Sequence, residues 1–197
     1  MHIGVYGGSF DPPHNGHLAL CLIARELLKL DRIIISVSNN PLKPGRDGQD
    51  SHRKHMAELL AAEINLTGNS SEVCSWELEK RKPSYTVDFL LYIRTIYPGA
   101  GITLLLGEDS YSELHLWKDP ARLITLCDIA VFRRAISDKT DRSAENPVPE
   151  GTVRFIDFSM TVSSSEIRAL VARKEPIDSM VPASIMRYIG NTGLYGQ

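Results

Sequence analysis

Residues 7–18, with the sequence GGSFDPPHNGHL, directly follow the short apolar run at residues 2–6. An apolar run of this kind predicts a buried strand, and the glycine pair after it predicts a tight backbone turn. Two histidines, His14 and His17, then stand three residues apart where a helix is predicted to begin. A strand end, a glycine turn and a helix amino terminus together favour the binding of an anion such as phosphate.

Other ligands and motifs fit this stretch less well. It contains neither the G-x-G-x-x-G of dinucleotide-binding folds nor the Gly-Lys-Ser/Thr that ends a P-loop. Zinc binding by His14 and His17 with the nearby Cys21 would need a fourth ligand, which the neighbouring sequence does not supply. A buried, hydrogen-bonded structural role for the histidines is a further alternative. A nearby phosphate would favour the charged form of each imidazole, which could then donate hydrogen bonds to it.

The same stretch resembles the signature of the H-x-G-H nucleotidyltransferases, through Gly7-Gly8-Ser9-Phe10-Asp11-Pro12 and then His14-x-Gly16-His17. Enzymes of that superfamily transfer a nucleoside monophosphate from a triphosphate to an acceptor phosphate. The resemblance implies a catalytic role for the two histidines. It also implies that the neighbouring turn binds the phosphates of ATP through Gly7, Gly8, Ser9, Phe10 and Gly16.

The bulk composition is that of a soluble globular domain. The chain has 197 residues, of which 43% are hydrophobic and 23% are charged, and its formal net charge is −2. This length predicts one domain over residues 1–197 with room for a core. The near-neutral charge gives no global basic field, so we expect no nucleic-acid partner and expect any anion site to be local.

Targeting and redox signals favour a cytoplasmic protein. The chain begins with an apolar strand and lacks a basic segment followed by a long apolar run, so we expect neither a signal peptide nor a membrane partner. The cysteines Cys21, Cys74 and Cys127 are odd in number and far apart, which favours a reducing compartment. The sequence leaves a homo-oligomer open.

Short apolar runs alternate with helical periods, which predicts a Rossmann-like, doubly wound α/β fold. In such a fold a mainly parallel sheet carries helices on both faces and binds ligands beyond the carboxyl ends of its strands. The predicted strands cover residues 3–6, 32–38, 73–77, 102–106, 129–132 and 152–156. The predicted helices cover residues 16–29, 52–64, 86–97, 120–126, 164–172 and 182–190.

Two polar segments, residues 39–50 and 134–151, are predicted to be loops. The first follows a strand on the expected ligand side and contains Lys43, which is a candidate for neutralising a triphosphate. Arg133 or its neighbour Arg134, at the end of a later strand, is another candidate for phosphate contact.

Three predicted helices begin with basic residues instead of acidic ones. A cation at a helix amino terminus costs on the order of 0.3–1 kcal/mol unless an anion shares the site. His17 lies in the first turn of the first helix, His52-Arg53-Lys54-His55 opens the second, and Arg168 lies near the start of a third. For Arg53-Lys54-His55 a solvated helix start is the simpler interpretation.

Residues 162–168, Val-Ser-Ser-Ser-Glu-Ile-Arg, resemble the second signature of the same superfamily, usually written I-S-S-T-x-I-R. Ser163 and Glu166 also have the S-x-x-E spacing of a helix capping box, which explains a serine there without any ligand. The capping box leaves Arg168 unexplained. The resemblance implies that Ser163 and Ser164 bind phosphate and that Arg168 is catalytic.

Several further motifs resemble the nicotinate-nucleotide adenylyltransferases, and their order covers nearly the whole chain. They are Arg53-Lys54-His55-Met56, Glu77-Leu78-Glu79 with Pro83-Ser84-Tyr85-Thr86, Gly107-Glu108-Asp109-Ser110 before Trp117, and residues 181–195. This resemblance implies transfer of AMP from ATP to nicotinate mononucleotide in NAD biosynthesis, giving deamido-NAD and pyrophosphate. It implies Mg²⁺ that is carried by ATP, without dedicated metal ligands in the protein.

A flat nicotinate ring that carries a carboxylate would suit three of these residues. Trp117 could stack on the ring, and the backbone N–H groups around Tyr85 and Thr86, at a helix start, could bind the carboxylate. Such donors would disfavour the amide of nicotinamide, whose NH₂ group cannot accept these bonds. The alternatives are a core or rim position for Trp117 and helix caps at Ser84 and Thr86.

Gly107 and Asp109 follow a predicted strand at its ligand-binding end. Asp109 could accept a hydrogen bond from a ribose hydroxyl of the nucleotide, or it could cap a helix over residues 110–116. Three other functions stay open at this point: adenylyl transfer to phosphopantetheine, cytidylyl transfer to a sugar or glycerol phosphate, and nucleotide sensing without catalysis.

Overall fold

A computed structural model describes residues 1–39, 49–80, 82–133 and 153–196 of the chain. Within these ranges six parallel strands form one sheet in the order β3-β2-β1-β4-β5-β6. The strands are β1 (His2–Gly8), β2 (Arg32–Val37), β3 (Ser71–Cys74), β4 (Gly101–Gly107), β5 (Asp128–Arg133) and β6 (Val153–Asp157).

Helices connect these strands and cover both faces of the sheet. No helix in the described ranges is both long enough and apolar enough to cross a membrane. The helices are α1 (Asn15–Leu28), α2 (Asp50–Asn65), α3 (Trp76–Glu79), α4 (Thr86–Ile96), α5 (Glu108–Ser112), α6 (Pro120–Leu126), α7 (Ser164–Ala172) and α8 (Ala183–Thr192), with a 3₁₀ turn at Leu114–Leu116.

The order of the strands confirms the predicted doubly wound fold. The chain runs outward from β1 through β2 to β3, returns across the sheet to β4 beside β1, and continues outward to β6. Because successive side chains of a strand point to opposite faces, Ile33 and Ile35 belong to the core on the side of α1, α2 and α8, whereas Ile34 belongs to the core on the side of α4. The strand order reverses between β1 and β4, which is where such sheets bind ligands.

The predicted strand at residues 73–77 is the one that the structure corrects. Pairing of β3 with β2 ends at Cys74, opposite Ser36, and the chain then turns into the short helix α3. Tertiary contacts explain the change, because the ring of Trp76 stacks on Tyr92 of α4 at 4.9 Å and Glu77 turns back to Ser36. The other predicted strands and helices are present, with ends that differ by up to two residues.

Candidate active site

The turn between β1 and α1 is built around the ring of Phe10. This residue has a φ of +49° and is 1% exposed, and its ring packs edge-on against Tyr6 and His17. A Cβ atom at Gly8 would lie 3.0 Å from the ring, so glycine allows the close approach. The side chain of Phe10 thus belongs to the core, and only its backbone is available for the predicted phosphate contact.

Gly16 leaves space for the ring of His14. A Cβ atom at Gly16 would lie 2.9 Å from Nδ1 of His14. The rings of His14 and His17 pack with their centroids 3.7 Å apart. The backbone N–H of His14 donates to Nδ1 of His17 at 3.1 Å, so a neutral His17 carries its proton on Nε2. The spacing H-x-G-H therefore places two imidazoles in contact, with their planes tilted by 34°, at the amino end of α1.

Burial lowers the pKa of both histidines. The pKa of His14 falls from 6.5 to about 4, and that of His17 falls well below its ordinary value through burial first and the neighbouring charge of His14 second. Both imidazoles are therefore neutral near pH 7 in the protein without ligand. The sequence alone predicts instead that a nearby phosphate favours their charged form. A neutral His17 still donates one hydrogen bond, through Nε2.

The second signature lies directly against the first. The hydroxyl of Ser164 donates to the carbonyl of Pro12 at 2.9 Å, and the guanidinium of Arg168 donates to the carbonyl of Asp11 at 2.6 Å. The hydroxyl of Ser163 accepts from the backbone N–H of Glu166 at 3.2 Å and so caps α7. The capping interpretation holds for Ser163, while Ser164 and Arg168 contact the backbone of the first signature.

The carboxyl-terminal segment also contacts the first signature, which the sequence did not predict. The phenol of Tyr195 donates to Oδ1 of Asp11 at 2.6 Å, while Oδ2 of Asp11 lies 3.9 Å from the guanidinium of Arg168. Burial and the hydrogen bond to Asp11 raise the pKa of Tyr195 above its ordinary value, so the phenol stays a donor. Asp11 thus joins three separate parts of the chain at the site.

A cavity of about 400 Å³ opens beside the two histidines, on the α1 face at the ends of β1 and β4. We call it the histidine cavity. Asp109 lies in the first turn of α5 and lines this cavity, so the helix is shorter and begins earlier than the alternative over residues 110–116. The predicted site residues that line it are His14, Gly16, His17, Gly107 and Asp109.

A second cavity, of about 260 Å³, lies on the α4 face of the same strand ends. We call it the tryptophan cavity. Trp117 is half-buried, with part of its ring packed against the core on this face. Gly7 and Gly8 are the last two residues of β1 and not the turn that the sequence predicted, and they line this cavity but not the histidine cavity. The predicted site residues that line it are Gly7, Gly8, Ser9, Tyr85, Thr86 and Trp117.

The amino end of α4 forms one wall of the tryptophan cavity. Tyr85 occupies the capping position and Thr86 is the first helical residue, and no described side chain caps this end. The hydroxyl of Ser84 donates to buried Glu77 at 2.6 Å, so Ser84 is not the helix cap that the sequence offered as an alternative. Lys118 lies over the ring of Tyr85, with its ammonium 4.6 Å from the centroid.

Arg53 is buried, contrary to the interpretation of a solvated helix start. Its guanidinium donates to the carbonyls of Ser9 at 3.1 Å and Ser38 at 3.0 Å, and it pairs with Asp50. Backbone carbonyls in a loop need donors when they are buried, and the ion pair with Asp50 reduces the cost of burying the cation. Arg53 thereby connects the turn after β1 to the end of β2. The signals in the sequence were a cation near a helix start and the family motif Arg53-Lys54-His55-Met56.

Among the predicted cationic contacts, Arg168 lies against the first signature without lining either cavity, Arg133 lines neither, and two others fall outside the described residues. Arg133 pairs with Asp157 at 2.9 Å, lies over the ring of Phe155 and lines neither cavity. Lys43 and Arg134 fall outside the described residues. Across residues 1–39, 49–80, 82–133 and 153–196, no three His, Cys, Asp or Glu side chains converge to hold a metal ion.

Comparison with known proteins relates the chain to one group over its full length. Residues 5–170 match the model of the cytidylyltransferase-like family. A protein of Pelodictyon phaeoclathratiforme, named as a probable nicotinate-nucleotide adenylyltransferase, is 51% identical over 99% of this chain and 92% of its own length. A protein of Chlorobium limicola with the same name is 52% identical over 99% of this chain and 98% of its own length.

Solved structures share the fold at much lower identity. The nicotinic acid mononucleotide adenylyltransferase of Plasmodium falciparum complexed with NaAD has a TM-score of 0.75 and 18% identity, and covers 98% of this chain and 97% of that one. The same enzyme complexed with APC has a TM-score of 0.73, also with 18% identity, and covers 98% of this chain and 96% of that one. These likenesses agree with the doubly wound sheet described above.

Burial of His14 predicts a pH-dependent stability. The unfolded chain binds a proton at His14 near pH 6.5, whereas the folded protein does so only near pH 4. The unfolded state therefore holds more protons in this window, and the free energy of unfolding should fall as pH drops from 6.5 to 4, by on the order of 1–3 kcal/mol. Denaturant unfolding at several pH values measures this. In His14→Gln the free energy of unfolding should decrease less over the same pH range. A decrease equal to that of the wild type would contradict the lowered pKa of His14.

Proposed function

The chain belongs to the nicotinate-nucleotide adenylyltransferases of the cytidylyltransferase-like family, and we propose that it transfers AMP from ATP to nicotinate mononucleotide. The single observation that best supports this reaction is the pair of cavities on the two faces of the sheet at the end of β1. A donor nucleotide in one cavity and an acceptor nucleotide in the other would bring their phosphates together at this strand end.

The chemistry needs no nucleophile from the protein. An oxygen of the 5′-phosphate of nicotinate mononucleotide attacks the α-phosphorus of ATP and forms a new P–O bond. The bond from the α-phosphorus to the bridging oxygen breaks, and pyrophosphate leaves with the electron pair, so that deamido-NAD remains. The attacking phosphate is already an anion near neutral pH, so no general base is needed. Catalysis then consists of positioning and of stabilising charge on the transferred group.

The histidine cavity suits the triphosphate and ribose of ATP. His17 donates through Nε2, and His14 packs beside it at the amino end of α1, where the partial positive charge of the helix favours an anion. Arg168, which is partly exposed beside the first signature, supplies a permanent positive charge, and Lys43 is proposed to supply another. Asp109 would accept from a ribose hydroxyl. Mg²⁺ would enter as part of the MgATP substrate and would neutralise part of the phosphate charge.

The tryptophan cavity suits the nicotinate nucleotide. Its apolar wall and the half-buried ring of Trp117 offer a surface on which a flat pyridine ring can stack. The uncapped amino end of α4, at Tyr85 and Thr86, offers backbone N–H donors to a carboxylate. Lys118 lies at the rim on the same side, where its ammonium pairs with Asp88 at 3.0 Å. We propose that the reaction takes place in the cytoplasm, in keeping with the widely spaced cysteines.

Pyrophosphate release with different acceptors tests the proposed reaction directly. Purified protein with MgATP should release pyrophosphate rapidly with nicotinate mononucleotide, and much more slowly with nicotinamide mononucleotide, because its amide cannot accept the helix-end hydrogen bonds. Mass spectrometry should identify deamido-NAD as the second product. Release with phosphopantetheine alone, or only when CTP replaces ATP, would contradict the assigned acceptor or donor.

Replacing His17 tests the donor side of the site. The change His17→Ala removes the Nε2–H donor and should lower kcat by at least about 10²-fold, which is the usual scale for losing one transition-state donor. Pyrophosphate release at saturating substrates measures kcat, and a thermal melt confirms that the variant is folded. A folded variant with a near-normal kcat would exclude the assigned role.

Replacing Trp117 tests the acceptor side. Loss of a stacking surface in Trp117→Ala should raise the KM for nicotinate mononucleotide by about tenfold and change the KM for MgATP less than about twofold. The matched control is His115→Ala, since His115 lies exposed in the adjacent turn and lines neither cavity. Equal increases of both KM values would show that Trp117 only packs against the core.

A further inference from the structure

A buried carboxylate forms part of the lining of the tryptophan cavity. Glu77 in α3 is 6% exposed, and each of its two carboxylate oxygens accepts a hydrogen bond from one serine hydroxyl. Oε1 accepts from Ser36 of β2 at 2.6 Å, and Oε2 accepts from Ser84 at 2.6 Å. Within the described ranges, no Lys, Arg or His nitrogen lies within ion-pair distance of this carboxylate.

Burying the carboxylate of Glu77 lowers the stability of the folded protein unless its hydrogen bonds offset the lost hydration. A buried carboxylate loses its hydration, and well-packed apolar residues often give equal or better stability at such positions. Bonds from a donor to an ionised acceptor are, however, short and strong, and both oxygens of Glu77 take part in one. Core stability alone therefore does not account for a carboxylate at this position. The explanation lies in the two elements that Glu77 connects.

Those elements are the end of β2 and the segment that leads into α4. Ser84 immediately precedes Tyr85 and Thr86, the residues at the uncapped helix end in the cavity. Its backbone N–H also donates to the carbonyl of Asn39 at 3.4 Å, just beyond β2. The described residues just before α4 belong to no strand of the sheet, so these hydrogen bonds fix their position relative to the carboxyl end of β2.

We propose that Glu77 is a positioning residue for the acceptor nucleotide, holding the amino end of α4 in place through Ser36 and Ser84. It acts through Ser84 on the backbone donors of the cavity and does not itself touch the reacting phosphates. This inference rests on the proposed function, because it takes the tryptophan cavity as the site of nicotinate mononucleotide. The donor nucleotide, bound on the opposite face of the sheet, should be nearly unaffected.

Steady-state kinetics of matched variants test the proposal. In Glu77→Ala the KM for nicotinate mononucleotide should rise at least about tenfold, since both charge-assisted bonds are lost, while the KM for MgATP changes less than about twofold. Glu77→Gln should recover most of the affinity, because an amide can accept from one serine and donate to the other. Glu79→Ala, on the same short helix but exposed, should behave like the wild type.

A second variant keeps the test decisive if Glu77→Ala folds poorly. Ser84→Ala removes only the bond next to α4 and should raise the same KM selectively, and a thermal melt of each variant reports folding separately. A folded Glu77→Ala or Ser84→Ala with unchanged KM, or with equal increases of both KM values, would overturn the positioning role. A wild-type protein that releases no pyrophosphate with nicotinate mononucleotide would instead overturn the proposed function.

Discussion

The site depends on one constraint: β1 lies in the middle of a parallel sheet, paired with β2 on one side and β4 on the other. Parallel pairing places the carboxyl ends of the three strands at the same edge, and the first signature begins where β1 ends. The reversal of strand order leaves room on both faces of that edge, which is where the two cavities lie. In the proposed reaction, the strand end with a cavity on each face would hold the phosphates of the two nucleotides in line for transfer of the adenylyl group.

Two buried charged residues hold the irregular parts of this edge in place. Arg53 joins the carbonyls of Ser9 and Ser38, and Glu77 joins Ser36 to Ser84, so both act at the end of β2. Loops have no repeating hydrogen-bond ladder, so their polar backbone groups need side-chain partners when they are buried. The cation of Arg53 donates hydrogen bonds to backbone carbonyls, and the anion of Glu77 accepts hydrogen bonds from two serine hydroxyls. The sign of each charge thus follows from the groups that it satisfies.

The sequence predicted the regular parts of the molecule well because they follow from local periodicity. Apolar runs and helical periods need no knowledge of distant contacts, and the two signatures are contiguous stretches. The errors concern residues whose partners are far away in the chain. Arg53 was interpreted as solvated because its carbonyl partners lie 15 and 44 residues away. Glu77 was placed in a strand because its pull toward Ser36, 41 residues earlier, is invisible in a local pattern. Arg133 was expected to contact phosphate because its ion-pair partner Asp157, 24 residues later, is likewise invisible in a local pattern.

The protonation of the histidines shows how burial changes the expected chemistry. A permanent cation binds the triphosphate of the substrate and the charge of the transition state to similar extents, so much of its effect appears as binding and not as rate. A neutral imidazole, whose single N–H points to where charge grows, favours the transition state more selectively. In the proposed mechanism the two tasks fall to different residues, because Arg168 is partly exposed, while loss of hydration and the neighbouring His14 lower the pKa of His17. Under the proposed role of His17, the packing of Phe10 and His14 against its ring contributes to catalysis as well as to the core.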